Sequence, residues 1–205
     1  RKKHRKPHFM VQPVDVRVFF NFRSPYCYLV SKTLFGLLDE FHVNLVWRPL
    51  GGWDGRSPPD RAKKKIPLTR QDVARWAKKM GIPATPPPIT TDPTRAGAVS
   101  LLAEECGVLH PFVVRLMAAE WADGLDIGRA EVLLEVGALS GLDKAAATVA
   151  MDDPDRHEQL HANWREAEEL GVIGVPTIVI GEEVFWGNDR LEFVRDHLQE
   201  LGLHR

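Results

Sequence analysis

The sequence predicts an α/β fold: one mixed sheet, interrupted by an all-helical insertion. Three observations predict it. β-rich apolar runs fall only toward the two ends of the chain, near residues 16–22, 43–47 and 177–186. The stretch from about Thr94 to Leu170 is patterned as helix throughout, broken only by Gly, Pro or Asp signals. The first apolar run leads directly into Ser24-Pro25, a helix start with Ser as N-cap and Pro at the first helical position.

Each element follows in order. Val16, Val18, Phe19, Phe20 and Phe22 form a nearly continuous apolar run, the pattern of a strand buried on both faces. The helix that follows is predicted to reach about Phe41, with Tyr28, Leu29, Leu34, Leu37 and Leu38 on its apolar side. Val43 to Trp47 reads as a second strand, completing a βαβ unit with parallel strands. Residues 49–68 read as a long loop, marked by Gly51, Gly52, Gly55, Pro58, Pro59 and Pro67 around a Lys63-Lys64-Lys65 run. Thr69 and Asp72 open a helix to about Met80, and a proline-rich break from Pro83 to Pro93 follows. Helices are predicted over 94–106, 110–123, 129–140, 143–150 and 154–170. Thr177–Ile180 and Glu183–Trp186 flank a Gly181-Glu182 turn and read as a hairpin. The last helix starts at Asn188 or Asp189, with Glu192 completing an Asp-x-x-Glu capping pattern, and ends near Leu201.

The order βαβ, helical block, ββα is a thioredoxin-like topology with a helical insertion. The expected division is a basic N-terminal extension (1–14), a thioredoxin-like domain (15–68 and 171–205) and a helical insertion domain (69–170).

Composition limits the function classes. The chain has 205 residues, 27 Lys+Arg and 28 Asp+Glu. Five bases and no acid fall within residues 1–9, leaving a body with 22 bases and 28 acids. An acidic body does not suit a nucleic-acid binder, which needs clustered Lys and Arg. No run approaches the roughly 20 apolar residues of a membrane span. No apolar stretch or cleavage site follows the basic start, so residues 1–9 read as an extension preceding Met10 rather than as a signal peptide. Cys27 and Cys106 are too few for a disulfide framework or a cysteine zinc site, and a reducing cytoplasm is the expected compartment. No metal site is expected: His157 and His161 share a helix face, but the residues between them lack the zinc-protease pattern.

Three segments carry chemistry. In Ser24-Pro25-Tyr26-Cys27, free N–H groups and the positive end of a helix dipole converge, and a thiolate placed there is stabilised. Cysteine at position 24 would make a C-x-x-C redox motif. Serine excludes disulfide chemistry at this motif but can donate a hydrogen bond to a thiolate brought from outside. The plain alternatives are Ser24 as an N-cap and Cys27 as a small buried hydrophobe. In Gly174-Val175-Pro176-Thr177, a cis Pro176 would let the Val175 backbone pair with a ligand like a short strand, and the alternative is an ordinary strand-start proline. In Trp186-Gly187-Asn188-Asp189-Arg190, helix N–H groups suit a carboxylate and Asp189 suits an ammonium. Here the alternative is a helix cap with a surface ion pair.

Together these segments resemble the 2-hydroxychromene-2-carboxylate isomerase family, which is related to the kappa-class glutathione transferases. The resemblance spans about residues 15–202. It includes Arg75-Trp76-Ala77, Gly81-Ile82-Pro83, Ala119-Glu120-Trp121 and most of Gly171 to Arg190. It implies glutathione, or another low-molecular-weight thiol, as cofactor. Ser24, with Pro25 and Tyr26, would hold the thiolate. Val175 and Pro176 would take the cysteinyl backbone, and Asn188 and Asp189 the γ-glutamyl end. It also implies a small-molecule substrate in an aromatic-degradation sequence, and a homodimer.

The chain departs from the family at three places. Cys27 stands where serine is usual, Gly55-Arg56 replaces a loop asparagine, and a second asparagine falls near Thr94-Arg95. Trp53 and Arg56 become candidate substrate-pocket residues, since Arg can clamp a carboxylate bidentately. The alternatives to an isomerase are a kappa-like transferase, a thiol- or partner-binding protein without turnover, and a redox centre built on Cys27 alone.

Overall fold

A computed structural model describes residues 11–205; the basic run of residues 1–9 lies outside the described residues. The elements are β1 (Val14–Phe20), α1 (Pro25–Ser31), α2 (Leu34–Asp39), β2 (Val43–Pro49), α3 (Pro59–Met80), α4 (Thr94–Glu105), α5 (Leu109–Trp121), α6 (Ala130–Leu139), α7 (Lys144–Met151), α8 (Pro154–Glu169), β3 (Thr177–Ile180), β4 (Glu183–Trp186) and α9 (Leu191–Glu200). A short 3₁₀ turn over Asn188–Arg190 precedes α9.

The sheet order is β2-β1-β3-β4. β1 lies parallel to β2, with Val18 opposite Trp47, and antiparallel to β3, with Val18 opposite Ile178. β3 and β4 form the expected hairpin. The alternation of side chains along β1 explains its continuous apolar run. Val16, Val18 and Phe20 face the main core, which also takes in Phe112, Leu133 and Leu198. Phe19 faces a smaller core under α8 with Leu50, Ala167, Val172 and Val179. Polar residues on that face are tied as well: Glu166 of α8 accepts from Arg17 at 2.9 Å and from Arg48 at 2.5 Å. The insertion therefore shares one core with the sheet instead of folding around its own. Trp47 reinforces the junction by donating from Nε1 to Ser100 of α4 at 3.0 Å.

Four expectations are corrected. The first helix breaks in two after Ser31, whose hydroxyl donates back to the Tyr28 carbonyl at 2.7 Å, while Thr33 is not helical. Ser and Thr side chains compete with the helical ladder in this way. The loop predicted to reach residue 68 ends at Pro58, because Pro58-Pro59 starts α3, which carries the Lys63-Lys64-Lys65 run and keeps Pro67 inside it. This helix crosses the expected 68/69 domain boundary. β1 begins at Val14, inside the expected extension of 1–14. The Asp189–Glu192 capping pattern does not form: Arg190 occupies the N-cap of α9, and Asp189 pairs with Arg190 at 3.0 Å.

Candidate active site

Ser24 sits where β1 gives way to α1, with extended backbone (φ −84°, ψ 123°) and Pro25 in the first turn. Its Oγ accepts the Cys27 N–H at 3.3 Å, so it does cap the helix. Accepting leaves its own O–H free to donate. Buried Asn21 sets the turn. Its carbonyl accepts the Ser24 N–H at 2.9 Å, its Oδ1 accepts the Arg23 N–H at 2.9 Å, and its Nδ2 donates to the Asp54 carbonyl at 3.1 Å. The last bond fastens the loop carrying Trp53 and Arg56 to the end of β1.

Tyr26 donates its hydroxyl to Asp72 of α3 at 2.9 Å. Burial, then this bond to the carboxylate, push its phenol up to about 12, so it remains a neutral donor. Asp189 adds to that shift, and α1 packs against the 3₁₀ turn, which brings Asn188 and Asp189 to the α1 side of the sheet.

Cys27 is fully buried, and burial pushes its thiol up to about 12. A thiol so placed is neither ionised nor accessible near neutral pH. A single alkylating dose on the native protein should therefore label exposed Cys106 and leave Cys27 unmodified until denaturation, by peptide mass mapping. Labelling of Cys27 first would restore the single-cysteine redox alternative.

The Val175–Pro176 bond is cis. Among the described residues, neither the N–H nor the C=O of Val175 has a protein hydrogen-bond partner. Thr177 Oγ1 donates to the Gly174 carbonyl at 2.7 Å, and the Gly187 N–H donates to the Pro176 carbonyl at 3.0 Å. A Cβ on Gly55 would lie 3.4 Å from Val175 Cγ1, so the loop after β2 abuts this segment. Pairing of β3 with β1, the Asn21–Asp54 bond and the packing of α1 on the 3₁₀ turn thus bring four separate parts of the chain to one end of the sheet.

Gly187 presents that turn. Its φ of 113° suits only glycine, and a Cβ there would meet Asp189 Oδ1 at 2.8 Å. Gly187→Ala should destabilise the fold by about 1–3 kcal/mol. It should also displace Asn188 and Asp189. A thermal melt unchanged from the parent would contradict the strain assigned here.

Trp53 is 69% exposed, and the Arg56 guanidinium lies over its ring at 4.0 Å. Burial lowers the Arg56 pKa to about 10, with nearby Arg23 acting in the same direction and Glu120 opposing. Grooves of about 590 and 600 Å³ elsewhere on the molecule contain none of these residues. His157 and His161 turn to different partners, the Met151 carbonyl at 2.8 Å and Asp54 at 3.7 Å.

Sequence reasoning assigned no site role to Arg23, Asp72 or Glu120. Arg23 is a buried base directly before Ser24, with its guanidinium 5.2 Å from the Trp121 ring centroid. Glu120 is fully buried on the inner side of α5. The available signals were a charge closing a buried strand run and an acid among Leu116, Met117, Ala119 and Trp121.

Comparison with known proteins agrees with this fold. The chain is 26% identical over 196 residues to a 2-hydroxychromene-2-carboxylate isomerase of Sphingobium xenophagum, covering 92% of this chain and 99% of that one. The solved structure of a 2-hydroxychromene-2-carboxylate isomerase superposes with a TM-score of 0.78 at 24% identity, covering 92% of this chain and 96% of the other. The cytosolic disulfide reductase DsbM of Pseudomonas aeruginosa, solved with GSH, superposes with a TM-score of 0.69 at 19% identity, covering 91% of this chain and 100% of that one. Residues 15–199 match the DSBA-like thioredoxin domain, and with the sheet order, the inserted helices and the cis proline before β3 they place this chain in that family.

Proposed function

We propose that this protein is a thiol-dependent isomerase of the 2-hydroxychromene-2-carboxylate type, with glutathione or another low-molecular-weight thiol as cofactor. The observation that carries the reading is the pairing at α1. Ser24 holds the position of a leading redox cysteine with a hydroxyl hydrogen free to donate, while Cys27 is buried and un-ionised. This supports a nucleophilic sulfur brought to the site by a bound thiol. Curated relatives over nine-tenths of the chain are named for an isomerisation.

The residues present fit a tripeptide thiol: the unpartnered N–H and C=O of Val175 match an extended peptide strand, and Asn188 and Asp189 offer groups for an amino-acid head. A bound thiol supplies reversible nucleophilic addition to a conjugated double bond, which frees that bond to rotate before the thiol leaves unchanged. The chain's part is to hold and orient. Ser24 donates to the sulfur and keeps it as thiolate, aided by the Tyr26 N–H, since Pro25 has none and those of Cys27 and Tyr28 bond to Ser24. Tyr26, held by Asp72, keeps the start of that helix in place. Arg56 supplies positive charge for a substrate carboxylate.

Incubation with a 2-hydroxychromene-2-carboxylate and glutathione tests this. Recovery of all free thiol with a changed chromophore is expected. A thioether product would indicate a transferase instead, and binding without either change would indicate a carrier.

A further inference from the structure

Glu120, Arg23 and Trp121 form a cluster of buried polar groups that the thiol chemistry does not use. Neither carboxylate oxygen of Glu120 has a hydrogen-bond partner, and neither does Arg23 Nε nor Trp121 Nε1. Among the described residues no ion pair within 4.0 Å involves Glu120, Arg23 or Arg56. Arg23 is held in place by stacking on Trp121 and by a 3.4 Å bond from Nη2 to the Pro88 carbonyl, neither of which neutralises it. Buried polar groups left unmatched in this way call for a partner.

We propose that Arg23 and Glu120, together with Arg56, form a receptor for the carboxylate of a small ligand beside Ser24. The proposal rests on the reading of the site as one that takes an anionic conjugated substrate. Two guanidiniums give opposite charge to the incoming anion. Glu120 can join them only as the neutral acid, whose O–H then donates to the ligand carboxylate. Burial already pushes the Glu120 carboxyl well above the usual carboxylate range, while Arg23 and Arg56 pull it back. A bound anion offsets the two arginines, so binding draws a proton onto Glu120. The groups facing Glu120 are Arg23 before α1, Arg56 after β2, Asp126 after α5, Cys27 on α1 and the neighbouring Trp121. Of these, the two arginines and, more weakly, the Trp121 indole N–H oppose its protonation, whereas Asp126 favours it. Arg70 of α3 adds a like charge near Arg23.

The test uses the full chain without thiol. Salicylate is the probe, salicylamide its uncharged control, and affinity is read by calorimetry across a pH series. Salicylate should bind more tightly than the amide, take up protons on binding, and weaken as pH rises. Arg23→Met and Arg56→Met should each weaken salicylate about tenfold or more and leave the amide unchanged. Glu120→Gln keeps a donor and removes the titration, so it should bind salicylate with the pH slope and proton uptake abolished. Equal binding of salicylate and amide, or an unchanged pH slope in Glu120→Gln, overturns the receptor. Glutathione titrated separately against the parent and Ser24→Ala reports on the thiol reading, so either can fail while the other stands.

Discussion

Ser24→Ala is expected to lower thiol-dependent isomerisation by about 10²–10³-fold, the usual loss when one preorganised donor to a developing or resting anion is removed. Ser24 places its Oγ at the end of β1, against the first turn of α1, with its hydrogen uncommitted. Without it, the first-turn N–H groups are the remaining stabilisers of a thiolate. The pKa of bound glutathione should therefore rise toward its free value. Thiolate absorbance followed against pH reads this directly: at neutral pH the parent complex should absorb and the variant complex should not. The capping bond is also lost, at about 0.5–2 kcal/mol. Its 3.3 Å length puts this protein at the low end of that range. Rates must therefore be compared well below the melting transition. Full activity in a folded Ser24→Ala protein would remove the basis for the proposed chemistry.

Phe22→Ala should have the largest effect on stability, about 3–5 kcal/mol. Phe22 is fully buried between the end of β1 and α5. Its ring packs against Phe20 at 5.1 Å, Phe112 at 6.3 Å and Trp47 at 6.4 Å. Deleting it opens a void at the junction of sheet and insertion, where rigid aromatic neighbours can collapse only partly. Phe22 also lies two residues before Ser24, so the damage should reach the site. Urea denaturation of the variant measures the loss. Phe193→Ala is the control: Phe193 is 57% exposed, and its removal should stay within about 0.5 kcal/mol of the parent. Equal losses in the two variants would mean that the aromatic junction does not carry the fold.

Much of this architecture is legible in the chain. The strand at Val14–Phe20 follows from its β-rich run, and the five helices from α4 to α8 follow from the Gly, Pro and Asp breaks between them. The helix start at Ser24-Pro25 follows from two residues with fixed preferences. Where the reading failed, local signals competed. Pro59 starts a helix as readily as it marks a loop, and the first half of α3 buries no side chain that would reveal a helical face. Ser31 looks compatible with a continuous helix until its hydroxyl takes the Tyr28 carbonyl.

The sequence by itself determined the order of elements and the nature of the first site residue. A serine cannot form a disulfide in any fold, and Ser-Pro at a strand end specifies its own helix start. Only the tertiary structure decided which distant residues join it. The segment before β3 comes to the end of β1 because β3 pairs antiparallel with β1, and the loop after β2 because Asn21 holds it there. Helix α5 comes alongside α1 because the insertion packs onto the same core as the sheet. Such neighbours are set by strand pairing and core packing, which act between residues far apart in the chain and leave no local periodicity to read.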